Sequence, residues 1–220
     1  MALNIEQARF NMIEQQIRTW DVLDQRVLET LKTVPREEFV PSAQRRMAFM
    51  DVRIPLGHDQ MMMKPVEEGR LLQALQIEPG QTVLEIGTGS GFLAACLSEL
   101  GGQVTSVELF DDLAESATRR LERSGVANVS VTQADALNPD ALPAGEFDCV
   151  VITGSAAQVP KVLRDKVALG GRIFAIRGDS PAMEAVCLHR SETDQWQTDS
   201  LFETDLPRLV GAEDAPRFEF

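Results

Sequence analysis

Thr82-Val83-Leu84-Glu85-Ile86-Gly87-Thr88-Gly89-Ser90-Gly91-Phe92 is a short β-branched and aliphatic run that breaks into three glycines at alternate positions, and the chain resumes as Leu93-Ala94-Ala95-Cys96-Leu97. That succession predicts a strand, a tight loop and a helix. Glycines allow positive φ and let a ligand approach a backbone that carries no Cβ, while the start of the helix offers unpaired N–H groups. The stretch reads as a nucleotide-binding turn.

Downstream, strands alternate with helices at short spacing, which predicts a parallel sheet covered on both faces. Strands are expected at 103–108, 129–135, 147–153 and 172–177, and helices at 111–124 and 158–167. The run 147–153 is apolar enough to be the central strand. Between 177 and the next apolar run, Ala185-Val186-Cys187-Leu188, too few residues intervene for a parallel crossover, so that strand is expected to lie antiparallel beside its predecessor. A seventh strand at 196–202 closes a meander, and 211–216 reads as a surface extension. The expected class is α/β: a doubly wound, mostly parallel seven-stranded sheet with antiparallel strands at its C-terminal edge.

Upstream, Ile5, Ala8, Met12, Ile13, Ile17 and Trp20 form a helical stripe, predicting one amphipathic helix over 5–20. Asp24 suits the cap of a second helix that turns Val27, Leu28 and Leu31 inward and stops at Val34-Pro35. After a short helical piece over 42–49, residues 51–57 read as extended, and His58-Asp59-Gln60-Met61-Met62-Met63-Lys64-Pro65 as a loop. Pro65 suits a first helical position, and a helix to residue 76 buries Leu71, Leu72 and Leu75. Residues 1–80 are thus expected as a helical extension carrying that loop, packed on a core of 81–220 in a single domain. Trp20 and Trp196 are expected as partly buried packing residues.

With 220 residues and 44% hydrophobic content the chain can build one substantial core. Its formal net charge of −13 repels polyanions and its basic residues do not cluster, which argues against nucleic acid as a partner. Cys96, Cys149 and Cys187 sit in apolar runs, as reduced core thiols do, pointing to the cytoplasm. No apolar run approaches the ~18 residues of a membrane span, and the N-terminus lacks the pattern of a signal peptide. His58 and His189 give a metal site little to build on.

Dinucleotide folds use Gly-x-Gly-x-x-Gly, whereas here the spacing is Gly87-x-Gly89-x-Gly91. With the acid Glu85 two residues ahead, this resembles motif I of the Rossmann-like S-adenosylmethionine-dependent methyltransferases. That ligand has no pyrophosphate, and its cationic end favours a nearby carboxylate. Glu108, followed by Leu109, ends the second strand where a carboxylate can accept both ribose hydroxyls. Asp135 and Ala136, at the end of the third, offer an acceptor and an N–H to the adenine edge. The cofactor set is then Glu85, Gly87, Thr88, Gly89, Gly91, Glu108, Leu109, Asp135, Ala136 and Thr153, the last at the end of the fourth strand. A nicotinamide enzyme is the competing reading within the same fold.

Beyond that half, the chain resembles the protein-L-isoaspartate O-methyltransferase family over most of its length. The likeness is carried by Val34-Pro35-Arg36-Glu37-Glu38-Phe39-Val40-Pro41, Ile54-Pro55-Leu56-Gly57 with Gln60 and Pro65, the glycine turn, Ser106-Val107-Glu108 and Gly170-Gly171-Arg172. The resemblance implies methylation, from S-adenosylmethionine, of the carboxylate of L-isoaspartyl residues in damaged proteins. Such chemistry needs no general base, since the acceptor is already ionised. In the family the loop reads Gly-Gln-Thr-Ile-Ser, whose hydroxyls help bind the acceptor. Here Met61 and Met63 stand at the Thr and Ser positions and donate no hydrogen bond. His58, Gln60, Met61, Met63 and Lys64 are the acceptor-loop candidates. The alternatives that follow are adaptable apolar filler, a shifted acceptor with Lys64 as its cation, or a protein that binds the cofactor without catalysis.

Overall fold

The computed structural model describes residues 4–212. The first helix, α1 (Ile5–Met12), is capped by Asn4, whose side chain accepts the Gln7 N–H at 3.1 Å. It runs on through a π-helical turn at Ile13–Ile17 and a 3₁₀ turn at Arg18–Trp20, so the expected single helix over 5–20 is three geometries in series. The wider π turn shifts the phase of the apolar stripe. Met12, Ile13 and Ile17 are buried, whereas Ile5 is 37% and Trp20 42% exposed, which corrects both ends of the expected stripe. Trp20 packs edge-on against Phe202 instead, and Trp196 is half-buried against the core.

The second helix, α2 (Gln25–Thr33), follows the expectation: the Asp24 side chain accepts the Arg26 N–H at 2.8 Å, and Val27, Leu28 and Leu31 are buried. A single helical turn, α3 (Arg36–Phe39), and a 3₁₀ stretch at Ser42–Met47 lead to β1 (Ile54–Gly57). The expected loop is partly a strand, β2 (Gln60–Met62), paired antiparallel with β1. His58 and Asp59 take φ of 52° and 57°, and positive φ at both central residues closes a two-residue hairpin. Pro65 then opens α4 (Pro65–Leu75), in which Glu67 accepts the Lys64 N–H at 3.0 Å.

The remaining elements are β3 (Thr82–Ile86), α5 (Phe92–Glu99), β4 (Gln103–Glu108), α6 (Asp111–Arg123), β5 (Val129–Gln133), β6 (Phe147–Ala156), α7 (Lys161–Arg164), β7 (Val167–Arg177), β8 (Met183–Glu192) and β9 (Gln195–Thr204). One sheet takes the seven strands in the order β5-β4-β3-β6-β7-β8-β9. Pairings are parallel from β5 to β7 and antiparallel for β7/β8 and β8/β9, and β6 is central, all as expected. The helix expected over 158–167 is only the turn α7. β6 extends to Ala156 and β7 starts at Val167, and Pro160 at the cap leaves a short connection.

The period of two along each strand divides the molecule into two cores. Val83, Cys149, Val151, Phe174 and Ile176 face α1, α2, α4 and α5. Leu84, Ile86, Val150, Ile152, Ile173 and Ala175 face Leu163 of α7 and Leu142. All three cysteines are buried and free. After β9 the chain returns across the end of β6 as a strap: Ser155 N–H donates to Pro207 O at 2.9 Å, Leu209 N–H to Ser155 O at 2.8 Å, and the Ser155 hydroxyl to Leu206 O at 2.8 Å. The expected extension over 211–216 starts at the end of this strap, and residues 213–216 lie outside the described residues. Among the described residues no helix is long and apolar enough to cross a membrane.

Candidate active site

Strand order reverses between β3 and β6, because β4 and β5 follow on one side of β3 and β6 and β7 lie on the other. In open α/β sheets such a switch point opens a crevice beyond the strand carboxyl ends. Here a cleft lies at that point, lined by the glycine turn, the ends of β4 and β5, the β1–β2 hairpin and the strap after β9. Its empty space, open mouth included, is about 970 Å³.

The glycine turn is fixed by contacts that leave no room for side chains. Gly87 has φ of 91°, and a Cβ on it would lie 2.3 Å from Thr153 Oγ1. That hydroxyl donates to Ile86 O at 2.9 Å and Gly87 O at 2.8 Å, tying the end of β6 to the turn. Gly91, with φ of 85°, brings α5 against α6, where a Cβ would lie 3.3 Å from Ala117 Cβ.

Glu85 is fully buried, and its Oε2 accepts from the Ser106 hydroxyl, which in turn sits 2.6 Å from Thr88 Oγ1. Its Oε1 is buried without a partner. Burial pushes the Glu85 carboxyl up from 4.5 to about 8, with the Ser106 hydrogen bond opposing and the Glu108 and Glu68 charges adding. An orphaned carboxylate oxygen lining a cleft fits a cationic ligand group. Glu108 accepts the Gly89 N–H at 2.8 Å and the Phe110 N–H at 3.1 Å, which aims its carboxylate into the cleft with lone pairs to spare. Leu109, Ala136 and Thr153 line the same space.

Asp135 also lines it, with one correction to the expected placement. β5 stops at Gln133, so Asp135 belongs to the following loop, where its side chain accepts the Leu137 N–H at 2.9 Å. The local turn formed by this aspartate competes with strand continuation.

Of the acceptor-loop candidates, Gln60, Met61 and Met63 line the cleft, as does Met62. Met62 and Met63 are each 4% exposed and belong to the core, whereas Met61 is half-buried. His58 and Lys64 are not in the lining. His58 stacks on Phe110 at 4.1 Å, with Nε2 2.9 Å from Asp112 Oδ1, bracing the hairpin turn on α6. Lys64 sits in a separate depression beside Trp20, Arg53 and Glu203.

Sequence reading missed three contributors. The strap residues Leu206, Pro207, Leu209 and Val210 line the cleft, and no local pattern announces a segment that gains its place from a distant serine. Glu68 lines the cleft from α4 while almost fully buried. It pairs with Arg36, 1% exposed, which also donates to Ala48 O at 2.9 Å and Met63 O at 2.8 Å and lies 4.7 Å from the Phe92 ring centroid. Burial pushes the Glu68 carboxyl up against the pull of Arg36. Arg36 stands in the Val34-Pro35-Arg36 motif, but no local pattern marks it and Glu68, next to a second buried acid in α4, as partners.

Comparison with known proteins agrees with this architecture. The profile of the family described as protein-L-isoaspartate(D-aspartate) O-methyltransferase matches residues 7–204. The chain is 34% identical over 206 residues to protein-L-isoaspartate O-methyltransferase 1 of Rhodopseudomonas palustris (strain HaA2), covering 93% of this chain and 84% of that one. It is 39% identical over 165 residues to a protein-L-isoaspartate O-methyltransferase of Gloeobacter violaceus, covering 74% and 79%. Its fold is similar, with a TM-score of 0.77 at 18% identity over 94% of this chain and 99% of the other, to a Plasmodium falciparum structure described as this methyltransferase in complex with S-adenosyl-L-homocysteine.

Proposed function

This chain belongs to the protein-L-isoaspartate(D-aspartate) O-methyltransferase family, and from that premise we propose that it methylates the carboxylate of L-isoaspartyl residues in proteins and peptides, as a repair enzyme. It is an S-adenosylmethionine-dependent methyltransferase. The observation that carries the reading is the convergence of Glu85 and Glu108, from the ends of β3 and β4, and Asp135, from the loop after β5, on one cleft beside the glycine turn.

When bound, the cofactor would supply an electrophilic methyl group on a sulfonium, which an acceptor carboxylate already ionised can take without a general base. The protein's part is binding, alignment and exclusion of water. In this reading Glu85 Oε1 takes the cationic methionine end, and Glu108 the ribose hydroxyls. Asp135 and Ala136 meet the adenine edge, Gly87, Thr88 and Gly89 bring the backbone to the ligand, and Gly91, outside the lining, lets α5 pack on α6, with Leu109 and Thr153 as walls. Gln60, Met61 and Met63 face the acceptor, while His58 braces the hairpin from outside and Lys64 lies in a separate depression. Residues 1–80 serve as the extension that carries the hairpin, and 81–220 as the methyl-transfer core. Three buried free thiols support a reducing compartment, and we assign the protein to the cytoplasm. The net charge of −13 supports a protein rather than a nucleic-acid partner.

Incubation with S-adenosylmethionine and a synthetic peptide pair, one with L-isoaspartate and one with ordinary aspartate, tests the reading. Methyl ester is expected on the isoaspartyl peptide alone. Cofactor binding in a calorimeter with no ester on either peptide would refute the acceptor assignment, and no binding would refute the cofactor site as well.

A further inference from the structure

The isoaspartyl reading leaves open which peptides the cleft accepts, and on that reading we propose that it selects isoaspartyl residues with apolar neighbours and rejects those with acidic ones. Two elements far apart in sequence carry the inference. From the hairpin, Met61 lines the cleft together with Leu56, whose Cδ1 lies 3.0 Å from where a Cβ on Gly89 would sit. From the strap come Leu206, Leu209 and Val210. The acceptor side of the cleft is thus an aliphatic and thioether wall continuous with the proposed cofactor site.

The strap is built in advance of any ligand. Its two backbone bonds and one hydroxyl bond to Ser155 fix it at the end of β6. Leu209 rests on Gly154, where a Cβ would come within 2.8 Å of Leu209 Cδ2. Val210 nevertheless stays 45% exposed at the cleft. A fixed aliphatic side chain left open to water at the rim of a site gains by being covered when a chain binds there.

Charge and hydrogen-bonding capacity point the same way. The titratable side chains lining the cleft among the described residues are Glu68, Glu85, Glu108 and Asp135, with no lysine or arginine beside them. Arg36, the cation beside Glu68, has its donors directed to Ala48, Met63 and Glu68 itself. An acidic neighbour of the acceptor therefore meets no cation in the lining, and the net charge of −13 adds repulsion. Hydroxyl donors in the acceptor loop hold a carboxylate whatever flanks it. Met61 and Met63 offer no such donor, which leaves the Gln60 amide as the side-chain donor of the acceptor loop and gives contacts with the flanks a larger share of the binding free energy. Methionine, flexible and polarisable, suits a wall that packs against varied apolar side chains.

Three isoaspartyl peptides that differ only in the two residues flanking the isoaspartate, both Leu, both Gly or both Asp, decide the matter through kcat/KM. The Leu-flanked peptide is expected to exceed the Gly-flanked one by about tenfold or more, the order of discrimination an apolar contact supplies, with the Asp-flanked peptide lowest. In the Met61→Thr, Val210→Ser double variant the Leu-to-Gly ratio is expected to fall below about threefold. A wild-type ratio within twofold, or a ratio unchanged in the double variant, overturns the selectivity while leaving the isoaspartyl reading standing. Failure to methylate any of the three, with cofactor bound, refutes that reading and this inference together.

Discussion

In the proposed cofactor site Glu85 offers a single free atom, its buried and unpartnered Oε1. Its fold-imposed value of about 8 lies above the ordinary 4.5, so between these limits the folded protein holds a proton that the unfolded chain has lost. Its contribution to stability is therefore fully present below pH 4.5 and is lost as pH rises to about 8. Without cofactor, the wild type is expected to lose melting temperature between pH 5 and 8 relative to Glu85→Gln, which has no such proton. A cationic ligand reverses the preference, so wild-type affinity for S-adenosylmethionine is expected to rise over that window while the Gln variant binds at least about tenfold more weakly. Parallel melting curves for the two proteins, with calorimetry at the two pH values, check both statements.

Arg36 has the opposite character, a charge that serves the fold. Arg36→Met leaves Glu68 buried without its partner and is expected to cost about 3–5 kcal/mol in denaturant unfolding. Pairing it with Glu68→Met removes both charges, and most of that stability is expected to return.

At the level of elements, the strap and the hairpin build the acceptor side, and both depend on a few backbone bonds. Ser155→Ala removes the hydroxyl that donates to Leu206 O at 2.8 Å, with an expected loss of about 1–2 kcal/mol for a buried carbonyl left unpaired. With the strap on the proposed acceptor side, KM for an isoaspartyl peptide is expected to rise several-fold in this variant while cofactor affinity stays within twofold. Steady-state kinetics against calorimetry separates the two. The same elements mark where sequence reasoning stops. The strand order, the antiparallel edge and the α2 cap were readable because period, residue count and cap chemistry are local properties. The hairpin escaped notice because His58 and Asp59 are unusual residues for two successive positive φ values, and three methionines resemble a loop filler. The helix expected over 158–167 shrank because β6 and β7 extended past their apolar stretches under pairing with their neighbours. The strap was invisible because what places it is Ser155, about fifty residues earlier in the chain.

For the whole molecule, one sheet separates two cores, and the point where its strand order reverses collects all the chemistry. The three thiols lie within this packed interior, with burial pushing Cys96 well above its ordinary range, Cys149 to about 12 and Cys187 to about 11. Alkylation of native protein at neutral pH is accordingly expected to be slow at all three and to follow global unfolding, which mass spectrometry of the labelled protein reads directly. The cleft-lining residues proposed for the cofactor were legible as a set, because Glu85, Gly87, Gly89 and Glu108 belong to consecutive elements. Asp135 was found but assigned to a strand that ends two residues sooner. Glu68 and Arg36 required the tertiary structure, since a buried ion pair between α3 and α4 leaves no periodic trace.

The central claim is that this cleft transfers a methyl group to an isoaspartyl carboxylate. Mass-spectrometric mapping of an aged substrate protein treated with the enzyme and S-adenosylmethionine tests it most directly. Methyl ester is expected on peptides that contain L-isoaspartate and none on the aspartyl forms of the same peptides. Ester distributed equally over aspartyl and isoaspartyl forms, or found on neither, would contradict it.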